Sequence, residues 1–362
     1  MELRNKVNAI TLATAALLLS ACSTFKSATA PAPAPAPAPV PAAEEPPVVT
    51  AKMAAAREAL GQMVALQDRL YRVAAPILIN NADLCRTQAR NLLGFTAKNK
   101  YSYTGEYVEA AQAVLNYGDR LTVSGVLPGS GAARAGLRKG DGLMAVEGSK
   151  LPTGPSAETQ AATVFGPLVG NHQSLNMTVV RSGATQTLNV PVTRACAFKV
   201  DIGNSDNINS YADGQRVMIT RGMVNFAQSD EAIAFVLAKD ISHNVLGHAA
   251  TMRSSYTIGS IIDNLVTVRP DLSMLIGNAG VKPVPQELDA AADYLALYML
   301  VRAGYNIEHA HAFWQRLAGQ YPPTVLNGYT HTHPATTYRL SVIDKTVAEI
   351  KAKQAAKKPL LP

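Results

Sequence analysis

The sequence predicts an α+β protein, with a mainly helical domain preceded by a small β-rich domain. Three observations carry that expectation. Residues 229–249, SDEAIAFVLAKDISHNVLGHA, and 286–303, QELDAAADYLALYMLVRA, repeat apolar residues at helical spacing. Between about 90 and 194, short alternating runs are punctuated by glycine-containing turns, the pattern of strands. Residues 30–47, APAPAPAPAPVPAAEEPP, cannot pack a core and set the amino-terminal end apart.

At 362 residues the chain is long enough for two domains and a tail. Its formal charge is +7, with basic residues spread along the chain and no basic block. That spread argues against a nucleic-acid partner and suits mild attraction to an anionic membrane surface.

In chain order, residues 1–21 read as a targeting segment. Arg4 and Lys6 precede an apolar run from Val7 to Leu19, too short for a membrane span. Leu19-Ser20-Ala21-Cys22 resembles the lipobox of bacterial lipoproteins. The resemblance implies cleavage before Cys22, lipidation of its thiol and, with Ser23 following, sorting to the outer membrane, facing the periplasm. Several acyl chains together hold a protein stably. Residues 22–49 are then a linker, extended as polyproline II at roughly 3.1 Å per residue. Residues 50–89 are helical by pattern, with Met53, Ala56, Leu60, Met63, Leu66, Leu70 and Val73 spaced by three and four. The expected role is packing against the main domain. Cys85 and Cys196 remain as an even pair in an oxidising compartment, so a disulfide is expected.

Residues 90–195 carry the β-rich module. Residues 126–148 read VLPGSGAARAGLRKGDGLMAVEG, which resembles the core of bacterial PDZ domains. Leu93-Gly94-Phe95 is similar to the loop whose backbone N–H groups hold a peptide carboxylate in that family. Glu158 to Phe165 is expected to form the groove helix, and Leu175–Val180 and Thr185–Val192 two strands joined by a turn. The resemblance implies that an extended peptide or protein segment adds as a strand between a sheet edge and a helix.

The remaining domain is expected over 196–352, with a tail at 353–362. Arg216 to Thr220 reads as a strand, residues 308–317 and 335–351 as helices, and 257–280 is too interrupted by charge to span a membrane. On the helix at 229–249, Ser229 suits an N-cap, and Asp230 and Glu231 suit the positive end of the dipole. His243 lies four residues after Lys239 and three after Asp240, so it can meet both. That is the spacing of HExxH, in which two His hold zinc and the Glu is a general base. Here the string is Lys239-Asp240-Ile241-Ser242-His243.

Residues 200–345 resemble the zinc metallopeptidase family of the CAAX-prenyl endopeptidase, family M forty-eight, in its periplasmic branch. The pieces come in family order: the turn at Asn209-Ser210-Tyr211-Ala212-Asp213-Gly214, the HExxH-like helix, Ala292-Asp293, Ala303-Gly304-Tyr305, and Thr332-His333-Pro334 with Arg339. The resemblance implies a zincin-like fold. It places the first ligand position at Lys239, the general base at Asp240, the second ligand at His243 and the third at Asp289. Asp293 and His333 stand behind or beside the metal. His248 is expected on a different face of the helix, His309 and His311 in solvent, and His331 at a loop surface.

A Lys at the first ligand position repels a dication, and an ammonium is no zinc donor. Asp240 and Asp289 are each one methylene shorter than Glu. The expected function is therefore a periplasm-facing lipoprotein with a PDZ module and a non-catalytic or weakly active peptidase domain, binding envelope proteins or serving their quality control. On that reading Lys239 pairs with Asp240, Asp289 or Asp293 and no cofactor is needed. The alternative is an active zinc metalloendopeptidase that uses His243 and Asp289, with His333 as a further ligand, and Asp240 as base.

Overall fold

The computed structural model describes residues 49–251, 255–273, 281–326 and 328–362. The expected signal segment at 1–21, the lipidated Cys22 and almost all of the linker lie outside the described residues. So does part of the stretch at 257–280. Among the described residues, no helix is long and apolar enough to cross a membrane.

Helix α1, Ala51–Asn80, starts where the Thr50 hydroxyl accepts from the Met53 N–H at 3.2 Å. Its buried stripe includes Leu60, Leu70, Val73, Ile77 and Leu78. One part of it packs on the helical domain. Another touches the β-rich module, where Tyr71 presses on Gly125; a Cβ there would sit 2.8 Å from the ring. The helix is thus a spine shared by both folded parts.

The β-rich module follows. Strand β1, Ala89–Leu92, turns at Gly94 into β2, Phe95–Lys98. Gly94 has φ +77°, and a Cβ would meet the Ser130 side chain at 2.6 Å. Then come α2, Glu106–Leu115; β3, Thr122–Val126; α3, Gly131–Arg134; β4, Gly142–Val146; β5, Ser149–Lys150; and α4, Ala157–Asn171. Strands β6, Ser174–Arg181, β7, Ala184–Pro191, and β8, Thr193–Cys196, complete it. The sheet order is β2-β3-β4-β6-β7, with β5 paired to β4, so β2 is an edge strand. The core holds Val123, Leu143, Val146, Leu175, Met177 and Val179. Phe165 of α4 stands edge-on to Phe95 of β2, ring centres 6.2 Å apart.

Two features close the base of the module. Strand β1 pairs antiparallel with β8, bringing Ala89 opposite Cys196. The Cys85–Cys196 disulfide is formed, with Cα atoms 5.5 Å apart across 111 residues of sequence. Helix α2 is an element that the expectation of a β-rich run passed over. It packs Tyr107, Ala110 and Ala111 against Ala56 and Leu60 of α1, and Arg57 pairs with Glu109.

In the helical domain, β9, Lys199–Gly203, runs parallel to β11, Arg216–Thr220, and β10, Ser210–Ala212, pairs antiparallel on the other side of β11. Helix α5, Arg221–Ala227, leads into α6, Asp230–Val245. Ser229 caps α6 as expected, its hydroxyl accepting from the Ala232 N–H at 3.1 Å. After α6 come α7, His248–Thr251; α8, Ser255–Leu265; α9, Gln286–Arg302; α10, Ala310–Gln320; α11, Tyr329–Thr332; and α12, Thr337–Ala355. Helix α6 is buried on nearly every face. Its Ile233, Val236, Leu237 and Ile241 join Leu297, Met299, Leu300, Trp314 and Ile343 in the main core. In the buried stretches of the two helices Lys239 meets Asp289, whereas Asp230 and Glu287, in their first turns, are exposed. Helix α8 covers the sheet, its Ile258, Ile261 and Ile262 meeting Tyr211 and Met218.

Candidate active site

Helix α6 aims Lys239 and His243, one turn apart, at the same point. Helix α9 aims Asp289 and Asp293 from the opposite side. His333 enters from the end of α11, and Arg339 from the first turns of α12. The Lys239 Nζ lies 2.6 Å from Asp289 Oδ1, 3.1 Å from His333 Nδ1 and 3.2 Å from His243 Nε2. Lys239 and Asp289 are both wholly buried. Tyr329 and Trp314 flank the ammonium, with ring centres 5.4 and 5.9 Å from Nζ.

Arg339 holds the far wall. Its Nε donates to Asp293 Oδ2 at 2.8 Å and its Nη2 to Asp293 Oδ1 at 3.1 Å, a bidentate pair. Its Nη1 donates to the carbonyls of His333 and Pro334, at 3.1 and 2.8 Å. The guanidinium therefore fixes the loop that delivers His333. Tyr329 stacks on His333 at 4.7 Å.

The electrostatics follow from burial and these partners. Burial opposes the Asp289 charge, but Lys239, His333 and Arg339 outweigh it and hold the carboxyl well below the usual carboxylate range. Burial lowers Lys239, against the opposing pull of Asp289. Burial and the Lys239 charge push His243 well below the usual imidazole value and His333 down to about 4. Both shifts favour the neutral imidazole.

Asp240 does not join this cluster. Consecutive residues on a helix face different ways, and Asp240 turns toward Ser210 and a small cavity of about 30 Å³. That cavity is also lined by Tyr211, His243, His248 and His333, and has room for about one water. Burial raises the Asp240 carboxyl to about 7, against the pull of Ser210 and Lys239. Among the described residues its Oδ2 has no hydrogen-bond partner. Of the three acidic partners foreseen for Lys239, Asp289 is the one its ammonium contacts. The expectation that His248 points elsewhere is corrected: its Nδ1 lies 2.8 Å from His243 Nδ1. Helix α6 stops at Val245, and Gly247 at φ +72° reverses the chain, so His248 opens a new helix and folds back. His311 pairs with Asp344 at 2.8 Å. His331 meets the Pro323 carbonyl at 3.0 Å.

Leu93, Gly94 and Phe95 lie apart from this cluster, at the turn between β1 and β2. The Gly94 carbonyl accepts from the Leu127 N–H at 2.8 Å and the Ser130 hydroxyl at 3.2 Å. The loop is thus anchored on the glycine-rich stretch that precedes α3. Trp314 and Tyr329 were not foreseen at the helical site. They are one Trp and one Tyr on unrelated helices, and nothing in their local sequence marks them.

His243, Asp289 and His333 each offer one donor atom, all within 4.8 Å of one another, a set that could hold a metal ion. Zinc takes such donors at about 2.0–2.2 Å. The Lys239 Nζ already stands at the point they share, so with Lys239 in place the residues present do not fit zinc.

Residues 172–347 match the model of Peptidase family M48. That stretch, just under half of the chain, is similar to the peptidase domain of that family. The match begins just after α4, ahead of β6 and of residue 196. The mitochondrial metalloendopeptidase OMA1 of Schizosaccharomyces pombe is 24% identical over 149 residues, 39% of this chain and 44% of that protein. The same-named protein of Arabidopsis thaliana is 24% identical over 151 residues, 41% and 31% respectively. The beta-barrel assembly-enhancing protease of Yersinia pestis is 26% identical over 165 residues, 40% and 33%. The chain thus spans less than half the length of these curated relatives. Among solved structures, the HtrA3 PDZ domain bound to a phage-derived ligand matches at 21% identity, covering 29% of this chain and 88% of that one. Its TM-score is 0.21.

Proposed function

We propose that this protein is a non-hydrolytic member of the metallopeptidase family that binds peptide segments in the cell envelope. On this reading residues 90–195 are a PDZ module, 196–352 a peptidase-derived scaffold, and Cys22 a lipid anchor at the outer membrane. The observation that carries the loss of hydrolysis is the Lys239 ammonium, 2.6 Å from Asp289 and wholly buried, where the family pattern has its first zinc ligand. Support for peptide binding comes from β2, an edge strand beside α4, with Leu93, Gly94 and Phe95 at its start. An edge strand presents unpaired backbone groups to which an extended peptide adds. The name of the Yersinia relative favours an envelope role in protein assembly or quality control.

A second reading, an active zinc endopeptidase, draws on the convergence of His243, Asp289 and His333. In that case Lys239 must swing away before a metal enters. The two readings part in one assay: casein cleavage by the purified protein, with and without a chelator. No cleavage above background supports the non-hydrolytic reading. Chelator-sensitive cleavage, abolished by Asp289→Asn, establishes the second.

A further inference from the structure

We infer that the Lys239 ammonium is the resident cation of this site, and that removing it uncovers a three-donor zinc site made of His243, Asp289 and His333. The inference deepens the non-hydrolytic reading and rests on it.

The first argument is a hydrogen-bond count. An ammonium has three N–H donors and no acceptor. Three acceptor atoms lie within reach of Nζ: Asp289 Oδ1 at 2.6 Å, His333 Nδ1 at 3.1 Å and His243 Nε2 at 3.2 Å. The acceptors also crowd one another. Asp289 Oδ1 is 2.7 Å from His333 Nδ1 and 3.1 Å from His243 Nε2. Spacings this short need a proton or a cation between the atoms, and the ammonium within reach of all three supplies the cation.

The second argument is the tautomer this imposes. With Nε2 accepting from Lys239, His243 carries its proton on Nδ1, where His248 Nδ1 waits 2.8 Å away to accept it. The relay ends at His248 in the wall of the small cavity. A metal bound to His243 Nε2 requires the same tautomer, because the imidazole must offer that lone pair. His248 is therefore placed to suit a cation at the centre, whichever cation that is.

The third argument is charge. Lys239 and Arg339 face Asp289 and Asp293, two against two, all buried. Adding a dication to that set leaves two uncompensated charges in a closed interior, which is costly. Replacing the ammonium with a dication leaves one, and the neighbouring Asp240 carboxyl can offset it.

The test uses the full chain as wild type, Lys239→Ala and Lys239→Met, each stripped with chelator and titrated with zinc by calorimetry. Melting is followed alongside. Methionine fills the lysine's space without charge. The expected result is one zinc bound by Lys239→Ala at least tenfold more tightly than by wild type, with a zinc-dependent rise in melting temperature. Adding Asp289→Asn should abolish that gain, and Lys239→Met should not show it. A folded Lys239→Ala protein with no tighter zinc binding than wild type overturns the inference. Equal gain in Lys239→Met overturns the claim that the vacated centre is the site. If Lys239→Ala does not fold, ¹⁵N imidazole spectra of the wild type decide. Protons on His243 Nδ1 and His333 Nε2 uphold the inference, and the opposite tautomers overturn it. Zinc-dependent cleavage by the wild type sinks the non-hydrolytic reading, a result distinguishable from any of these.

Discussion

Lys239 of α6 and Asp289 of α9 form an ion pair at 2.6 Å with neither side chain exposed to solvent. The pair ties together two helices that make up much of the domain's core. A buried pair of this kind gains little over a well-packed apolar replacement, but breaking it leaves a buried charge alone.

Asp289→Asn is therefore expected to lower unfolding free energy by about 3–5 kcal/mol, as for other buried pairs broken from one side. The double variant Lys239→Met, Asp289→Asn should recover much of that loss. Chemical denaturation of the four proteins gives the coupling directly. Independent, additive effects would contradict a direct pair.

Asp240 sets a pH dependence of known sign. Its carboxyl is raised to about 7 in the folded protein, against about 3.9 in an unfolded chain. The folded state therefore holds this proton more tightly. The stability Asp240 contributes is full below about pH 4 and is lost as pH rises through about 7. Asp240→Asn removes that decline. Relative to wild type, the variant should gain up to about 4 kcal/mol between pH 4 and 8, an upper figure from one unit being 1.36 kcal/mol. His333, held down to about 4, acts with the opposite sign in both proteins and drops out of the difference. A difference that stays flat with pH, measured by urea unfolding, refutes the assignment.

The disulfide should be visible as an absence of free thiols at Cys85 and Cys196 in denatured, unreduced protein. Replacing both with serine opens a loop of 111 residues. In the chain-entropy view the cost is about 4–5 kcal/mol. Because the bond joins the segment that follows α1 to β8, loosening should reach both the β-rich module and the helical domain, which amide exchange can map.

The proposed groove makes its own prediction. Val164 lies half-exposed on α4, packed beside the module's core. Val164→Asp should weaken binding of a peptide with an apolar carboxyl terminus at least tenfold while melting changes little. Unchanged peptide affinity argues that the groove lies elsewhere.

Much of this was legible in the sequence, for identifiable reasons. The strand at Arg216–Thr220 and the helices α6 and α9 declared themselves by their residue patterns, α6 also by its Ser229 cap. The positions of Asp289 and His333 followed from family order, and the structure brings both to Lys239. Helix α2 was missed because its ten residues sit inside a stretch dominated by strand signals, and its packing partner, α1, is remote in sequence. His248 was misplaced by extending helical geometry past Gly247, where the chain reverses. Asp240 was read as a partner of Lys239, whereas adjacent positions on α6 send the two side chains to different pockets. The aromatic wall of Trp314 and Tyr329 exists only in three dimensions.

The central claim is that the cation in this site belongs to the chain itself. Zinc analysis of the wild-type protein, equilibrated with zinc at neutral pH and freed of excess by gel filtration, tests it most directly. The account predicts that the protein emerges without stoichiometric zinc. One tightly held zinc per chain, lost on Asp289→Asn, would contradict it.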